Sequence, residues 1–147
     1  MSSAPVPLSG AGWWPLGAAW LVALVATLGA LFIGEVMGKA PCLLCWYQRI
    51  AMFPLAVVLG MAALDGDRRG ARYGLPLALA GLALAGWHSL LYAGLIPEAI
   101  KPCTREGPSC SGPEMTLFGW LPIPFLSLGA FAAIAALLTM TLRSNRP

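Results

Sequence analysis

Cys42 and Cys45 stand three residues apart in "KAPCLLCWYQRIAMFP", and Arg49 follows four residues after the second thiol. Two further cysteines, Cys103 and Cys110, lie in "KPCTREGPSC". Such thiols can exchange disulfides: a thiolate attacks one sulfur of a disulfide, and two electrons move without a metal. A Cys-x-x-Cys pair at a helix N-terminus suits that role, because unpaired backbone N–H groups and the helix dipole favour thiolate. Pro41 stops the preceding chain from continuing as helix, so the helix carrying the pair is expected to begin at or just after Cys42. Beside Cys103, Lys101 and Arg105 also favour thiolate, and the surrounding Pro, Gly and Ser predict an exposed, turn-rich loop.

Two other groups belong to this chemistry. Arg49 shares a helical face with Cys42 and Cys45 and lies about 6 Å deeper than Cys45. Two placements suit it: snorkelling to the headgroups, or facing the bundle to hold a carrier oxygen or a thiolate. His88, the only histidine, sits in "AGWHSLLYAGLIP" at a matching depth on another segment. It suits hydrogen-bonded packing as well as contact with a ligand. Gln48 and Tyr92 are weaker polar candidates near this level. Glu35 and Lys39 have the i, i+4 spacing of an ion pair worth roughly 0.3 kcal/mol.

The elements that position these groups follow from composition. The 147 residues are 59% hydrophobic and 10% charged, whereas a soluble domain carries about 25% charged residues. The shortfall defines a membrane protein, and the net charge of +3 includes no basic run suited to nucleic acid. About 20 apolar residues cross a bilayer, and four segments qualify, at about 13–36, 44–64, 73–96 and 118–142. The expectation is an all-α, four-transmembrane-helix bundle forming a single membrane domain over residues 1–147. The first segment reads as a span and not a signal peptide, because no Lys or Arg precedes it and its apolar run is too long.

Arg68, Arg69 and Arg72 follow the second segment, and Arg143 and Arg146 follow the fourth. The positive-inside rule puts this side, with both termini, in the cytoplasm. The links at about 37–43 and 97–117 then face outward, and all four cysteines meet an oxidising compartment where disulfides persist. Trp13, Trp14, Trp20 and Trp120 lie near segment ends, as interfacial aromatics do. Gly29, Gly34, Gly81 and Gly86 are expected to permit close helix contact. Pro54, Pro122 and Pro124 are expected to kink their helices.

Three other readings of the cysteines stand beside exchange chemistry. Four thiols can bind zinc, although the second pair lacks the usual ligand spacing. Both pairs can be structural staples, a role that suits Cys103 and Cys110 better than the Cys-x-x-Cys pair. A lone Cys-x-x-Cys can be accidental, but two pairs on one face of so small a membrane protein argue against that. If the pairs exchange electrons, a sink is needed, and a quinone dissolved among the lipid tails is available at this depth.

At these residues the chain resembles a known family. "PCLLCWYQR" is similar to the Cys-x-x-Cys-x-x-x-Arg signature of the bacterial disulfide-bond formation protein B (DsbB) family. The likeness extends over four spans, both cysteine pairs and the "PIPFLSLGAF" opening of the last span. It implies a quinone-dependent oxidase of the bacterial inner membrane. Such an enzyme reoxidises a periplasmic thioredoxin-fold protein, DsbA, and passes electrons to ubiquinone or menaquinone. Carried over by position, Cys42 and Cys45 are the quinone-coupled pair, and Cys103 and Cys110 exchange with the partner, Cys103 forming the mixed disulfide. Arg49 matches the family's quinone-associated arginine, and His88 falls where a polar quinone-site residue is expected.

The chain departs from the family pattern at Gln48, where an acid is often found. Its loop cysteines are only seven apart, which resembles the compact branch. A reductive thiol conduit would need cysteines reachable from the cytoplasm, and a multidrug-type transporter would need an acid deep within a span; neither is present in the sequence. A vitamin-K-epoxide-reductase-like enzyme shares the general plan alone.

Overall fold

In a computed structural model that describes residues 10–96 and 108–144, four long helices carry the chain. Helix α1 spans Gly10–Leu31 and runs on as a π-helical turn, Phe32–Val36. Helix α2 spans Leu43–Asp65, α3 spans Arg69–Tyr92 and α4 spans Ile123–Ser144. At 1.5 Å per residue each reaches about 33 Å or more, enough to cross a hydrocarbon core of about 30 Å. Their outward surfaces are apolar, with Val25, Val57, Leu64 and Leu79 exposed, as a lipid-facing surface requires.

The helices pack in cyclic order, α1 on α2, α2 on α3, α3 on α4 and α4 back on α1. Alternate large and small residues fill the centre: Leu16, Leu55, Leu59, Phe131 and Leu138 interleave with alanines from α1, α2 and α3. Helices α3 and α4 approach closely where a Cβ on Gly81 would lie 2.1 Å from the Phe131 ring, and α2 and α3 where a Cβ on Gly70 would lie 2.0 Å from that of Ala62. The other glycines expected to bring helices together behave differently. Gly34 makes room for the Arg49 side chain, a Cβ on Gly86 would only touch Leu128, and Gly29 has open space beside it.

At one end, Gly66 takes a left-handed conformation to close α2, and the Asp67 carboxylate accepts from the Arg69 N–H at 2.9 Å. Arg68 donates to the Leu142 carbonyl, tying this turn to the last turn of α4. At the opposite end, Pro113–Met115 form a short 3-10 turn, followed by β1 (Thr116–Leu117) and β2 (Leu121–Pro122), an antiparallel ribbon. The ribbon delays the start of α4 to Ile123. Pro122 therefore lies in a strand and Pro124 in the first helical turn, where a missing N–H costs nothing and no kink is imposed. Helix α2 runs unbroken through Pro54.

Candidate dithiol site

Pro41 and the left-handed Gly38 end the chain's first excursion, and α2 begins with Cys42 as its N-cap. The Cys42 sulfur accepts the backbone N–H of Cys45 at 3.4 Å, a place normally taken by an oxygen acceptor. The two sulfurs are 3.2 Å apart, with the Cys45 and Cys42 thiols unbonded to each other covalently. Cys42 precedes the spanning segment. Hydrogen bonding with the Cys45 thiol holds its own thiol well below the ordinary thiol range, against burial and with help from His88 and the Cys45 N–H.

The two thiols look in different directions. Cys42 is wholly buried, in a small cluster with Leu44, Leu91, Cys110 and Met115. Cys45 borders a cavity of about 1040 Å³ between α1, α2 and α4. Apolar residues such as Val25, Ile33, Met52 and Phe131 make its walls, and Cys45, Gln48, Arg49 and Lys39 add polar groups. Leu21 and Val25 of α1 and Leu126 of α4 line it while also being exposed on the lipid-facing surface. The cavity is thus accessible from the side, between α1 and α4. Over the thiol end, Lys39 donates to the Thr116 carbonyl at 2.8 Å and fastens the α1–α2 link to β1.

Arg49 faces the bundle. Its Nη2 donates to the Ala30 carbonyl at 2.8 Å, and its guanidinium carbon lies 5.5 Å from the centre of the Trp46 ring. Ala30 lies just before the π turn that begins at Phe32. Gly34 in the same turn carries no side chain to block the guanidinium.

His88 is wholly buried on α3 and is not among the residues bordering the cavity. It stands behind Cys42: Nε2 is 3.9 Å from the Cys42 sulfur and 3.1 Å from the Cys110 carbonyl oxygen. Its Nδ1 is 3.0 Å from the Gln48 side-chain nitrogen. Sequence reasoning matched the depths of His88 and Arg49, but Arg49 borders the cavity and His88 does not. Tyr92 packs edge-on against Phe125, with ring centres 6.0 Å apart. Cys42, Cys45 and His88 gather two sulfurs and a ring nitrogen within 4.8 Å, a grouping that a reduced dithiol beside a histidine produces by itself.

Cys110 itself departs from the expectation of an exposed loop, being 2% exposed, while Pro108, Ser109 and Pro113 beside it are exposed. Met115 and Leu91 pack around it and draw the loop down onto the head of α2. Cys110 is disulfide-bonded; Cys103, Lys101 and Arg105 lie outside the described residues. Sequence reasoning missed the Gln48–His88 contact and the link from Lys39 to Thr116. Gln48 carried a faint signal, as a polar residue one turn below the Cys-x-x-Cys pair.

Four apolar helices holding a dithiol beside a disulfide-bonded cysteine define a membrane thiol–disulfide centre. The chain belongs to the family described as "Disulfide bond formation protein DsbB", whose sequence profile it matches over residues 13–141. It is 58% identical to a "Probable disulfide formation protein" of Metapseudomonas resinovorans, over 95% of this chain and 96% of that one. It is 45% identical to the "Disulfide bond formation protein C" of Bacillus subtilis, over 81% of this chain and 86% of the other. A "Probable disulfide formation protein" of Deinococcus radiodurans is 48% identical over 82% of this chain. No solved structure matches the chain at a significant level. The protein is therefore a disulfide-generating membrane protein with thiol oxidoreductase chemistry.

Proposed function

We propose that this single four-helix domain is a protein-dithiol:quinone oxidoreductase of the bacterial inner membrane. It reoxidises a periplasmic, DsbA-like thioredoxin-fold protein and passes two electrons to ubiquinone or menaquinone. The observation that carries this reading is the division of labour within the Cys-x-x-Cys pair. Cys45 borders a side-opening apolar cavity that also contains Arg49, whereas Cys42 is buried against Cys110.

The cavity suits an isoprenoid quinone: its walls are apolar, its opening faces lipid, and its polar groups gather near the thiol. When bound, a quinone supplies a two-electron, two-proton acceptor. Arg49 and Gln48 offer N–H donors for a ring oxygen, and the Ala30 carbonyl holds the guanidinium in place. The apolar walls exclude water from Cys45.

The protein steps balance. The partner's thiolate attacks Cys103 of the Cys103–Cys110 disulfide, and Cys110 leaves as thiolate. The partner's second thiol then releases the oxidised partner and leaves a Cys103, Cys110 dithiol. A Cys110 thiolate attacks Cys42 of an oxidised Cys42–Cys45 disulfide and expels Cys45 as thiolate. Cys103 next attacks Cys110 and expels Cys42, so two electrons reside on the Cys42, Cys45 pair. The cysteine end faces the periplasm in this reading, because Arg68, Arg69, Arg72 and Arg143 gather at the opposite end.

The test is oxidation of a reduced thioredoxin-fold dithiol by purified protein with and without added ubiquinone or menaquinone. Turnover should require quinone and vanish in Cys42→Ala and Cys103→Ala. Turnover that persists in either variant would falsify the scheme.

A further inference from the structure

Gln48 makes a buried contact with His88, a residue that the quinone reading leaves unused. The Gln48 amide is one turn below Cys45 on α2 and 3.0 Å from Nδ1 of His88. On the other side of the ring, Nε2 is 3.1 Å from the backbone carbonyl of Cys110 and 3.9 Å from the Cys42 sulfur. All of these groups are buried, with Gln48 6%, His88 0%, Cys110 2% and Cys42 0% exposed.

Hydrogen-bond polarity decides where the proton sits. A peptide carbonyl only accepts, so the nitrogen facing Cys110 must carry the hydrogen. A neutral ring protonated on Nε2 has a bare Nδ1, which must accept. Gln48 can meet that need because its amide offers N–H donors as well as an oxygen, and the nitrogen is the atom that faces the ring. A carboxylate in its place would only accept. It would then demand a hydrogen on Nδ1 as well, and hence a charged ring. With its nitrogen towards the ring, the amide at position 48 calls for a bare Nδ1 and so favours the tautomer whose Nε2–H is aimed at the cysteines.

We propose that Gln48 and His88 form a positioning clamp: through the tautomer protonated at Nε2, it seats the Cys110 backbone against Cys42 for exchange between the two disulfide pairs. The inference rests on the exchange scheme above. In that exchange Cys110 and Cys42 join while the Cys42–Cys45 bond breaks, and then Cys103 displaces Cys42, so two electrons pass from the loop pair to the helix pair. The Nε2–H already lies within reach of the Cys42 sulfur and donates to it as Cys42 departs as thiolate. His88 neither gains nor loses a proton, since its bare nitrogen faces Gln48.

Because His88 is the only histidine, nitrogen NMR of histidine-labelled protein in nanodiscs reports this ring alone. Near neutral pH the spectrum should show a neutral ring protonated on Nε2, and Gln48→Leu should abolish the preference for that tautomer. A proton on Nδ1 in the unsubstituted protein, alone or together with one on Nε2, overturns the clamp.

A second arm needs no quinone. In a Cys45→Ser, Cys103→Ser background, diamide should join Cys42 to Cys110. Adding His88→Leu should slow this cross-link on the order of tenfold, the value of one lost buried hydrogen bond. Adding His88→Gln, which retains an N–H donor, should restore most of the rate. Equal rates in the Leu and Gln variants overturn the proposal. Loss of quinone-dependent turnover in the unsubstituted protein would instead defeat the proposed function, and both arms would still read the clamp.

Discussion

Arg49 donates from Nη2 to the carbonyl of Ala30 at 2.8 Å, so the cation is held by the last turns of α1 as well as by its own helix. A snorkelling arginine needs no such partner. In the π turn that follows at Phe32–Val36, Gly34 leaves space for the guanidinium. Ala30 of α1 and Gly34 of the π turn thereby set the direction of a charge carried by α2.

Replacing Arg49 tests what that direction serves. Arg49→Ala should raise the quinone concentration needed for half-maximal turnover by at least about tenfold, as expected for losing a charge-assisted hydrogen bond. Arg49→Lys should recover little, because an ammonium lacks the planar fork that serves the carbonyl and a ligand together. The half-saturating concentration of the protein dithiol should hardly change. Steady-state titration of each substrate separates the two, and unchanged quinone saturation would return Arg49 to a structural role.

Gly34 should matter through Arg49. A Cβ at this position would lie 3.1 Å from Nη2, and the branched side chain of Gly34→Val would push the guanidinium off the Ala30 carbonyl. The expected result is a severalfold weaker quinone response with little change in thermal unfolding temperature. Gly29→Ala is the control, since a Cβ there meets nothing within 4 Å.

The lowered pKa of Cys42 predicts a pH dependence with a definite sign. A group whose pKa is depressed is ionised above the lowered value, so the reduced protein should retain Cys42 thiolate well below pH 8.5, the ordinary midpoint of about that value. Lowering the pH through the depressed pKa should remove it. The foremost cause is the hydrogen bond with the Cys45 thiol, so Cys45→Ala should move the midpoint upward, whereas Cys45→Ser keeps a donor and should move it less. Ultraviolet thiolate absorbance across a pH titration measures all three. An ordinary midpoint in the Cys45→Ser protein and the Cys45→Ala protein alike would contradict this origin.

Packing between α3 and α4 offers a test remote from the thiols. The Cβ of Gly81→Ala would fall 2.1 Å from a Phe131 ring carbon, an overlap that should destabilise the bundle by about 1–3 kcal/mol. Adding Phe131→Leu should recover part of this, because the smaller side chain vacates the overlap. Thermal unfolding in one detergent gives the comparison; a double variant less stable than either single one would rule out this contact as the cause.

Much of this molecule is legible from local chemistry. Apolar runs of about 20 residues must become helices in lipid, since backbone groups have no water to satisfy them. Pro41 sets the head of α2, and the cysteines are placed by the links that carry them. These conclusions need only neighbours in the chain. Tertiary structure alone decides that Cys45 borders the cavity while Cys42 is buried with Cys110, and that His88 stands behind the thiols instead of beside Arg49. Cys42, Cys45 and Arg49 share one helical face on any reading of their spacing. Yet what that face meets depends on how α2 is rotated against α1, α3 and α4, and on a loop folded back over its end. Side chains from distant parts of the sequence fix that rotation through packing, as where the Phe131 ring lies on Gly81, and no local pattern encodes it.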